Sequence, residues 1–116
     1  MKTGAVYRGE ACVVQCVWRA ANPWTRLRGL LGRRALQDGE GLLIEPCGSV
    51  HTFGMRYPLD LVFLDRSDRV VDVCAGLAPM RTRASRAKAR KTLELPAGSL
   101  DRLVPVIGET LAWRAY

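Results

Sequence analysis

The residues best suited to chemistry in this sequence lie in one segment, Pro46–Asp65, which reads PCGSVHTFGMRYPLDLVFLD. The segment contains the only histidine of the chain, His51. A histidine side chain can act as a general base or as a ligand, because imidazole titrates near neutral pH. Gly48, Gly54 and Pro58 favour tight backbone turns, which can hold the side chains between them at a surface. The spacing therefore predicts a site here, although no complete catalytic, nucleotide or metal motif surrounds it.

The predicted site is a binding site built from polar side chains against apolar walls, which is the usual construction of a small-molecule pocket. Its residues are Ser49, His51, Thr52, Met55, Arg56 and Asp60. A carboxylate on an otherwise apolar strand needs a partner if it is buried, so Arg56 and Asp60 are predicted to pair across the intervening turn. Arg56 can alternatively offer its guanidinium fork to an anionic ligand.

A metal site is not predicted, even though Cys47, His51 and Met55 recur every four residues with donors suited to copper(I). Four residues of extended strand span about 13 Å, which is too far for shared ligation at bonds of roughly 2 Å. A helix would bring the three side chains together, but the prolines and glycines of this segment disfavour one. We expect no cofactor either.

A second hypothesis is a hydrolase that uses His51 as base, with Cys47 or Ser49 as nucleophile. Such catalysis requires the base within hydrogen-bond reach of the nucleophile and a third group that orients it. Asp60 and Asp65 are the candidates for that third group, although Asp65 also suits the turn that follows its strand. No catalytic residue is assigned.

A third hypothesis comes from charge. The chain has 18 Lys and Arg against 11 Asp and Glu, a net charge of +7, and the stretch Arg81–Lys91 is basic without any acid. Such a stretch can bind phosphates by releasing counterions. No aromatic residue lies within it to stack on bases, so a solvated surface is the favoured interpretation over a nucleic-acid or acidic-partner adaptor.

The elements that must position these residues follow from local patterns. Ala11–Arg19 predicts a strand that turns Cys12, Val14, Cys16 and Trp18 towards the core. A short helix is predicted from a Thr25 cap to about Leu36. Further strands are predicted at Leu42–Ile44, Leu59–Leu64, Arg69–Cys74 and Lys91–Leu95, the second and third as a hairpin, with a helical turn at Ser99–Leu103 and short apolar pieces after it.

These elements predict an α+β fold class. We expect one compact domain over residues 1–116, with a mainly antiparallel, barrel-like sheet of about six strands and one short helix near the N-terminal third. No apolar run approaches the ~20 residues of a membrane span, and no signal-peptide pattern is present, so we expect a cytoplasmic protein. The four cysteines lack a Cys-x-x-Cys spacing and are expected to be reduced and buried.

The segment Ser49–Asp65 closely resembles the signature of the DUF192 family, also called UPF0127, a family of small bacterial and archaeal proteins without an assigned function. Arg28–Arg33, Leu77–Pro79 and Leu93–Gly98 extend the resemblance over most of the chain. The resemblance implies a compact single-domain α+β fold and brings no reaction with it. Gly54 stands where the family pattern commonly has a bulky aromatic residue.

The sequence therefore predicts a small non-catalytic domain that binds a ligand or a partner near His51, Met55 and Arg56. The ligand is an unidentified small molecule or protein. The hydrolase and the basic adaptor remain the alternatives.

Overall fold

The computed structural model describes residues 1–21, 35–52 and 55–116. These residues are mostly strand, with a single five-residue helix. The elements are β1 (Lys2–Arg8), β2 (Ala11–Ala20), β3 (Glu40–Ile44), β4 (Ser49–His51), β5 (Leu59–Leu64), β6 (Val70–Leu77), β7 (Thr82–Ala84), β8 (Lys91–Pro96), α1 (Ser99–Leu103) and β9 (Ala112–Ala115).

Seven strands form one sheet in the order β6-β5-β8-β3-β2-β1-β9, and β4 and β7 form a separate two-stranded ribbon. The seven-stranded sheet is mixed, because β2 and β3 run parallel while its other pairs are antiparallel. One isolated bridge, Arg69 to Thr110, joins the start of β6 to the residues before β9. The ladder does not continue, so the sheet is not closed into a barrel.

Apolar residues cover both faces of the sheet, as β5 illustrates. Leu59, Leu61 and Phe63 lie in one core, which also contains Val50 of β4 and is called the ribbon-side core below. Val62 and Leu64 lie in the other, which also contains Leu103 of α1 and is called the helix-side core. A strand buried on both faces reads as a continuous apolar run, and this explains the composition of β5.

The predicted hairpin is confirmed, since β5 and β6 pair antiparallel. Its connection is organised by Asp65, whose Oδ1 accepts hydrogen bonds from the amides of Ser67 and Arg69 at 2.8 and 3.0 Å. Asp68 then adopts a left-handed conformation at φ 66° in place of a glycine. The predicted helical turn at Ser99–Leu103 is also confirmed, as α1.

The predicted α+β fold class is wrong for the residues described. The sheet is mixed and open instead of mainly antiparallel and barrel-like, it has more strands than predicted, and the helix lies near the C-terminus. The pairing of β1 with β9 and the parallel pairing of β2 with β3 join segments remote in sequence, which local patterns do not reveal. Most of the helix predicted from Thr25 to about Leu36 lies outside the described residues, and its last two, Ala35 and Leu36, are not helical.

The cysteines are free, as predicted, but they are not core residues: Cys12 is exposed and the other three are half-buried. The register between β1 and β2 shifts at Val6, which interrupts the strict alternation of sides along the pair. Val14 and Val17, three positions apart, are the β2 residues that enter the helix-side core. Trp18 packs against the ribbon-side core instead, and Cys12 is exposed. The prediction that Cys12, Val14, Cys16 and Trp18 share one core-facing side is therefore wrong.

Candidate functional site

The predicted site and the basic stretch meet in the β4–β7 ribbon. Ser49 pairs with Ala84, Val50 with Arg83, and His51 with Thr82. Residues directly opposite each other in an antiparallel pair share a face. Ser49 and His51 are exposed together with Thr82 on one face, while Val50 on the other is 6% exposed and belongs to the ribbon-side core.

Arg83 holds the ribbon against the main sheet. Its guanidinium bonds Asp72 of β6 at 2.9 Å and stacks over the ring of Phe63 at 5.6 Å. The amide of Arg86 donates to the same Asp72 oxygen at 2.8 Å. Burial alone would raise the pKa of Asp72, but these two donors, together with the amide of Val73 on its other oxygen at 2.9 Å, outweigh it and hold the pKa below its ordinary value. Arg83 is therefore a structural cation, unlike its exposed neighbours.

Thr52 ends the ribbon and fixes the adjoining loop. Its side chain is fully buried. Its Oγ1 donates a hydrogen bond to the carbonyl oxygen of Ala78 at 2.6 Å and accepts one from the amide of Arg81 at 2.9 Å. Its backbone amide donates to the carbonyl of Arg81 at 2.8 Å, and its carbonyl accepts from Met80 at 3.1 Å. These bonds tie Arg81 to the residue that follows His51, so Thr52 fixes the backbone of this loop.

Asp60 is buried and bonded to backbone, not to Arg56. Its Oδ1 accepts from the amide of Gly76 at 2.8 Å and its Oδ2 from the amide of Leu100 at 2.9 Å. Leu100 lies in the first turn of α1, where amides have no partner within the helix, so Asp60 caps this helix from the neighbouring strand. The predicted Arg56–Asp60 pair is absent from the described structure, and Arg56 is exposed.

The inner side of the segment contacts the sheet. Met55 and Tyr57 are half-buried and pack against the ribbon-side core. On the same face of the sheet lies Glu94 of β8, opposite Leu42 on one side and Leu61 on the other, and only 5% exposed. Burial raises the pKa of Glu94 to about 7.

The cations of the basic stretch differ in their partners. Lys91 contacts Asp68 at 2.5 Å, and Arg90 approaches Glu45 at 3.9 Å. Arg81, Arg86 and Lys88 are exposed, and their side chains form no ion pair with the acids of the described structure. Arg81 precedes β7, and Arg86 and Lys88 follow it, so the three cations place positive charge beside the ribbon.

Of the six predicted site residues, the structure brings Ser49 and His51 onto one exposed face and leaves Arg56 exposed as well. Thr52 and Asp60 are buried in backbone hydrogen bonds, and Met55 is a packing residue. Sequence reasoning assigned no role to Glu94 and Tyr57, the two polar residues on the ribbon-side face of the sheet. The sequence signal for Glu94 was its position on a short strand between two apolar residues, Leu93 and Leu95.

The two acids proposed to orient His51 are engaged elsewhere, Asp60 with α1 and Asp65 with its own turn. Across residues 1–21, 35–52 and 55–116, no three His, Cys, Asp or Glu side chains are grouped as metal ligands. Within the same ranges, no helix has the length and apolar character needed to cross a lipid bilayer.

The fold is similar to two crystal structures. One, a candidate transcription regulator from Sinorhizobium meliloti 1021, superposes with a TM-score of 0.79 over 97% of this chain and 92% of its own, at 23% identity. The other, a protein of unknown function from Novosphingobium aromaticivorans DSM 12444, has a TM-score of 0.77 over 96% and 84%, at 21% identity. At such identities the similarity establishes the fold alone.

Two curated relatives in sequence come from archaea. A stretch of 65 residues, 56% of this chain, is 38% identical to UPF0127 protein PH1112 of Pyrococcus horikoshii and covers 56% of that protein. A UPF0127 protein of Thermococcus sibiricus is 35% identical over 65 residues, which cover 42% of its length. The matched stretch thus spans about half the length of these curated relatives. Residues 6–113 match the model of the family described as "Uncharacterized ACR", and this chain belongs to that family, DUF192.

Proposed function

We propose that this chain is a small non-catalytic binding domain that uses the exposed face of the β4–β7 ribbon to bind an anionic ligand or partner. The observation that carries the proposal is the pairing of His51 with Thr82. It joins the histidine-containing segment and the basic stretch, which the sequence presents as separate features, into one surface.

The chemistry of this surface suits carboxylate or phosphate groups. Ser49, His51 and Thr82 offer hydroxyl and imidazole groups, and Arg81, close to His51 through the bonds of Thr52, offers a guanidinium fork that matches either anion. Arg86 and Lys88 add positive charge that would attract anions over longer distances.

An ion pair and buried hydrogen bonds hold the framework of this surface in place. Arg83 fastens the ribbon to Asp72, and Thr52 fixes the loop that carries Arg81. A site whose side chains are already positioned loses less conformational entropy on binding. The hydrolase alternative receives no comparable support, since Asp60 and Asp65 are engaged in backbone hydrogen bonds.

The test is fluorescence anisotropy with two labelled probes of equal charge, a single-stranded oligothymidylate and a poly-glutamate peptide. We expect Arg81→Ala to weaken binding of the preferred probe about three- to fivefold, as for an exposed charge contact. If the preferred probe is the oligonucleotide, the slope of log K against log salt should fall by about one. The probe that binds more tightly decides between a nucleic-acid and an acidic-protein partner.

A control variant and a second site variant separate binding at this site from general attraction to a basic protein. Arg114→Ala removes a positive charge from β9, at the sheet edge opposite β6, and should change affinity less than twofold. His51→Gln replaces the imidazole on the exposed face of the ribbon with a side chain of similar polarity, and it should weaken binding. Failure of both probes to bind, or an effect of Arg114→Ala equal to that of Arg81→Ala, would refute the proposal.

A further inference from the structure

A cleft outside the ribbon surface lies between the β5–β6 turn and the residues that lead into β8. Its volume is about 520 Å³, within the ~300–1,000 Å³ that is typical of ligand pockets. Among the residues described, it is lined by Asp65, Arg66, Lys88, Ala89 and Arg90. Three of these five residues are cations, and Ala89 is the only apolar one. The lining therefore suits a strongly charged ligand better than an apolar one.

The cations of this cleft have weak or no partners. Arg66 and Lys88 are exposed, and no ion pair joins either of them to an acid in the part of the chain that the structure describes. The side chain of Arg90 is 50% exposed, and its Nε lies 3.9 Å from Oε2 of Glu45. That carboxylate bonds Arg19 more closely, at 2.9 Å. All three cations are thus available to a ligand.

The acid of the cleft is already occupied. Oδ1 of Asp65 accepts the amides of Ser67 and Arg69, and the bond from Arg69 is the main reason why the pKa of Asp65 lies below its ordinary value. One carboxylate cannot neutralise three cations, so the cleft keeps an excess of positive charge.

Backbone hydrogen bonds join the two walls of the cleft. The amide of Arg90 donates to the carbonyl of Leu64 at 2.8 Å, and the carbonyl of Arg90 accepts from the amide of Cys47 at 2.8 Å. On the other wall, the amide of Asp65 donates to the carbonyl of Arg69 at 2.9 Å and closes the turn that carries Arg66. Binding would therefore order side chains on a backbone that is already fixed, which limits its entropic cost.

The chemistry of the lining matches linked phosphate groups. An arginine fork can bond two oxygens of one phosphate, and a lysine adds a point charge. A single carboxylate carries too little charge to engage cations on both walls, whereas two linked phosphates can contact both. No aromatic residue lines the described cleft to stack on a base, so the phosphates would be the part of the ligand that is recognised.

We propose that this cleft is a second binding site, in which Arg66, Lys88 and Arg90 hold the diphosphate group of a small ligand. The site differs from the ribbon surface, where Lys88 contributes only attraction over longer distances. Its two arginines have no part in the ribbon proposal, so either proposal can fail without the other.

The experiment is isothermal titration calorimetry with inorganic pyrophosphate, orthophosphate and adenosine diphosphate, at equal ionic strength and without divalent cations. We expect saturable binding of pyrophosphate and at least tenfold weaker binding of orthophosphate. Adenosine diphosphate carries the same group and should also bind. Equal affinity for it and pyrophosphate would identify the free diphosphate as sufficient, and higher affinity would identify a nucleoside diphosphate.

Variants then assign the binding to the cleft. Arg66→Ala and Arg90→Ala should each weaken pyrophosphate binding about three- to fivefold, as for exposed charge contacts. Arg66→Lys keeps the charge but loses the fork, so it should weaken binding as well. Arg114→Ala on β9 is the matched control and should change the affinity less than twofold.

The ribbon variant separates the two proposals. Arg81→Ala should leave pyrophosphate binding within twofold, and Arg66→Ala should leave binding of the oligothymidylate or poly-glutamate probe within twofold. The inference would be overturned by the absence of saturable pyrophosphate binding or by equal affinity for orthophosphate. It would also be overturned by a loss of pyrophosphate binding in Arg81→Ala but not in Arg66→Ala, or by an effect of Arg114→Ala as large as that of Arg66→Ala.

Discussion

Replacing Glu94 by glutamine should remove a specific part of the pH dependence of stability. An ordinary glutamate titrates near 4.5, and burial raises the pKa of Glu94 in the folded protein to about 7. Between these two values the folded state binds more protons than the unfolded state, so the free energy of unfolding falls as pH rises through this window and is constant above it. Well below pH 4.5 Glu94 is protonated in both states, and its full contribution to the free energy of unfolding is retained.

The magnitude follows from the shift. A rise in pKa from 4.5 to about 7, at about 1.4 kcal/mol for each pH unit, corresponds to about 3.5 kcal/mol lost over the whole titration range. Glu94 is flanked by Leu42 on β3 and Leu61 on β5, so Tyr57 is the titratable group that faces it among the residues described. The pKa of Tyr57 is raised from its ordinary value of 10.0, so this group remains neutral throughout the window.

The assay is urea denaturation of the parent protein and Glu94→Gln at about pH 5 and about pH 8, with equal denaturant slopes as the check on two-state unfolding. The parent should lose about 2.5 kcal/mol more than the variant between these conditions, since part of the titration lies below pH 5. Asp72 and Glu109, whose pKa values are lowered, lose their stabilising contribution only as pH falls through their own lower range, so they do not obscure the result. A difference between the two proteins that is the same at both pH values would refute the reasoning.

Three further predictions concern the buried polar groups. Asp60→Asn should destabilise the protein by about 1–3 kcal/mol and accelerate amide exchange at Leu100, because the amide side chain keeps only one of the two oxygens that accept from Gly76 and Leu100. Unchanged exchange there would exclude a capping role. Thr52→Val keeps the side-chain shape and should cost about 1–3 kcal/mol in urea denaturation, with no loss indicating that its hydroxyl bonds contribute nothing. Tyr57→Phe should stabilise the protein by up to about 1 kcal/mol, since it removes an unsatisfied buried hydroxyl, and destabilisation would show that the hydroxyl has a partner.

Local sequence patterns predicted the parts of the fold that are local in the chain. The β5–β6 hairpin follows from two apolar runs around a turn rich in aspartate, and α1 follows from the turn residues before Ser99. The order of the sheet was not predictable in this way. The parallel pairing of β2 with β3 and the bulged register of β1 against β2 depend on tertiary contacts that no short window contains.

The site was predicted as a segment but not as an arrangement. Polar residues of this one segment have different environments: His51 is exposed, whereas Thr52 and Asp60 are buried. Their hydrogen-bond partners, Ala78 and Leu100, lie far away in sequence, so burial and partner choice could not be inferred from the segment itself. The binding role of the predicted residues stays a prediction.

The pairing of the first strand with the last has a consequence for how the chain folds. Gly4 lies so close to β9 that an added Cβ would be 2.2 Å from the carbonyl oxygen of Arg114, and Ala115 is its cross-strand partner. During synthesis β1 emerges first and β9 last, so the outer edge of β1 stays unprotected while the intervening strands form. Long-range pairings of this kind slow folding and leave an edge open to association with other chains. Until β9 pairs with it, the edge of β1 is therefore a place where one chain can pair with another.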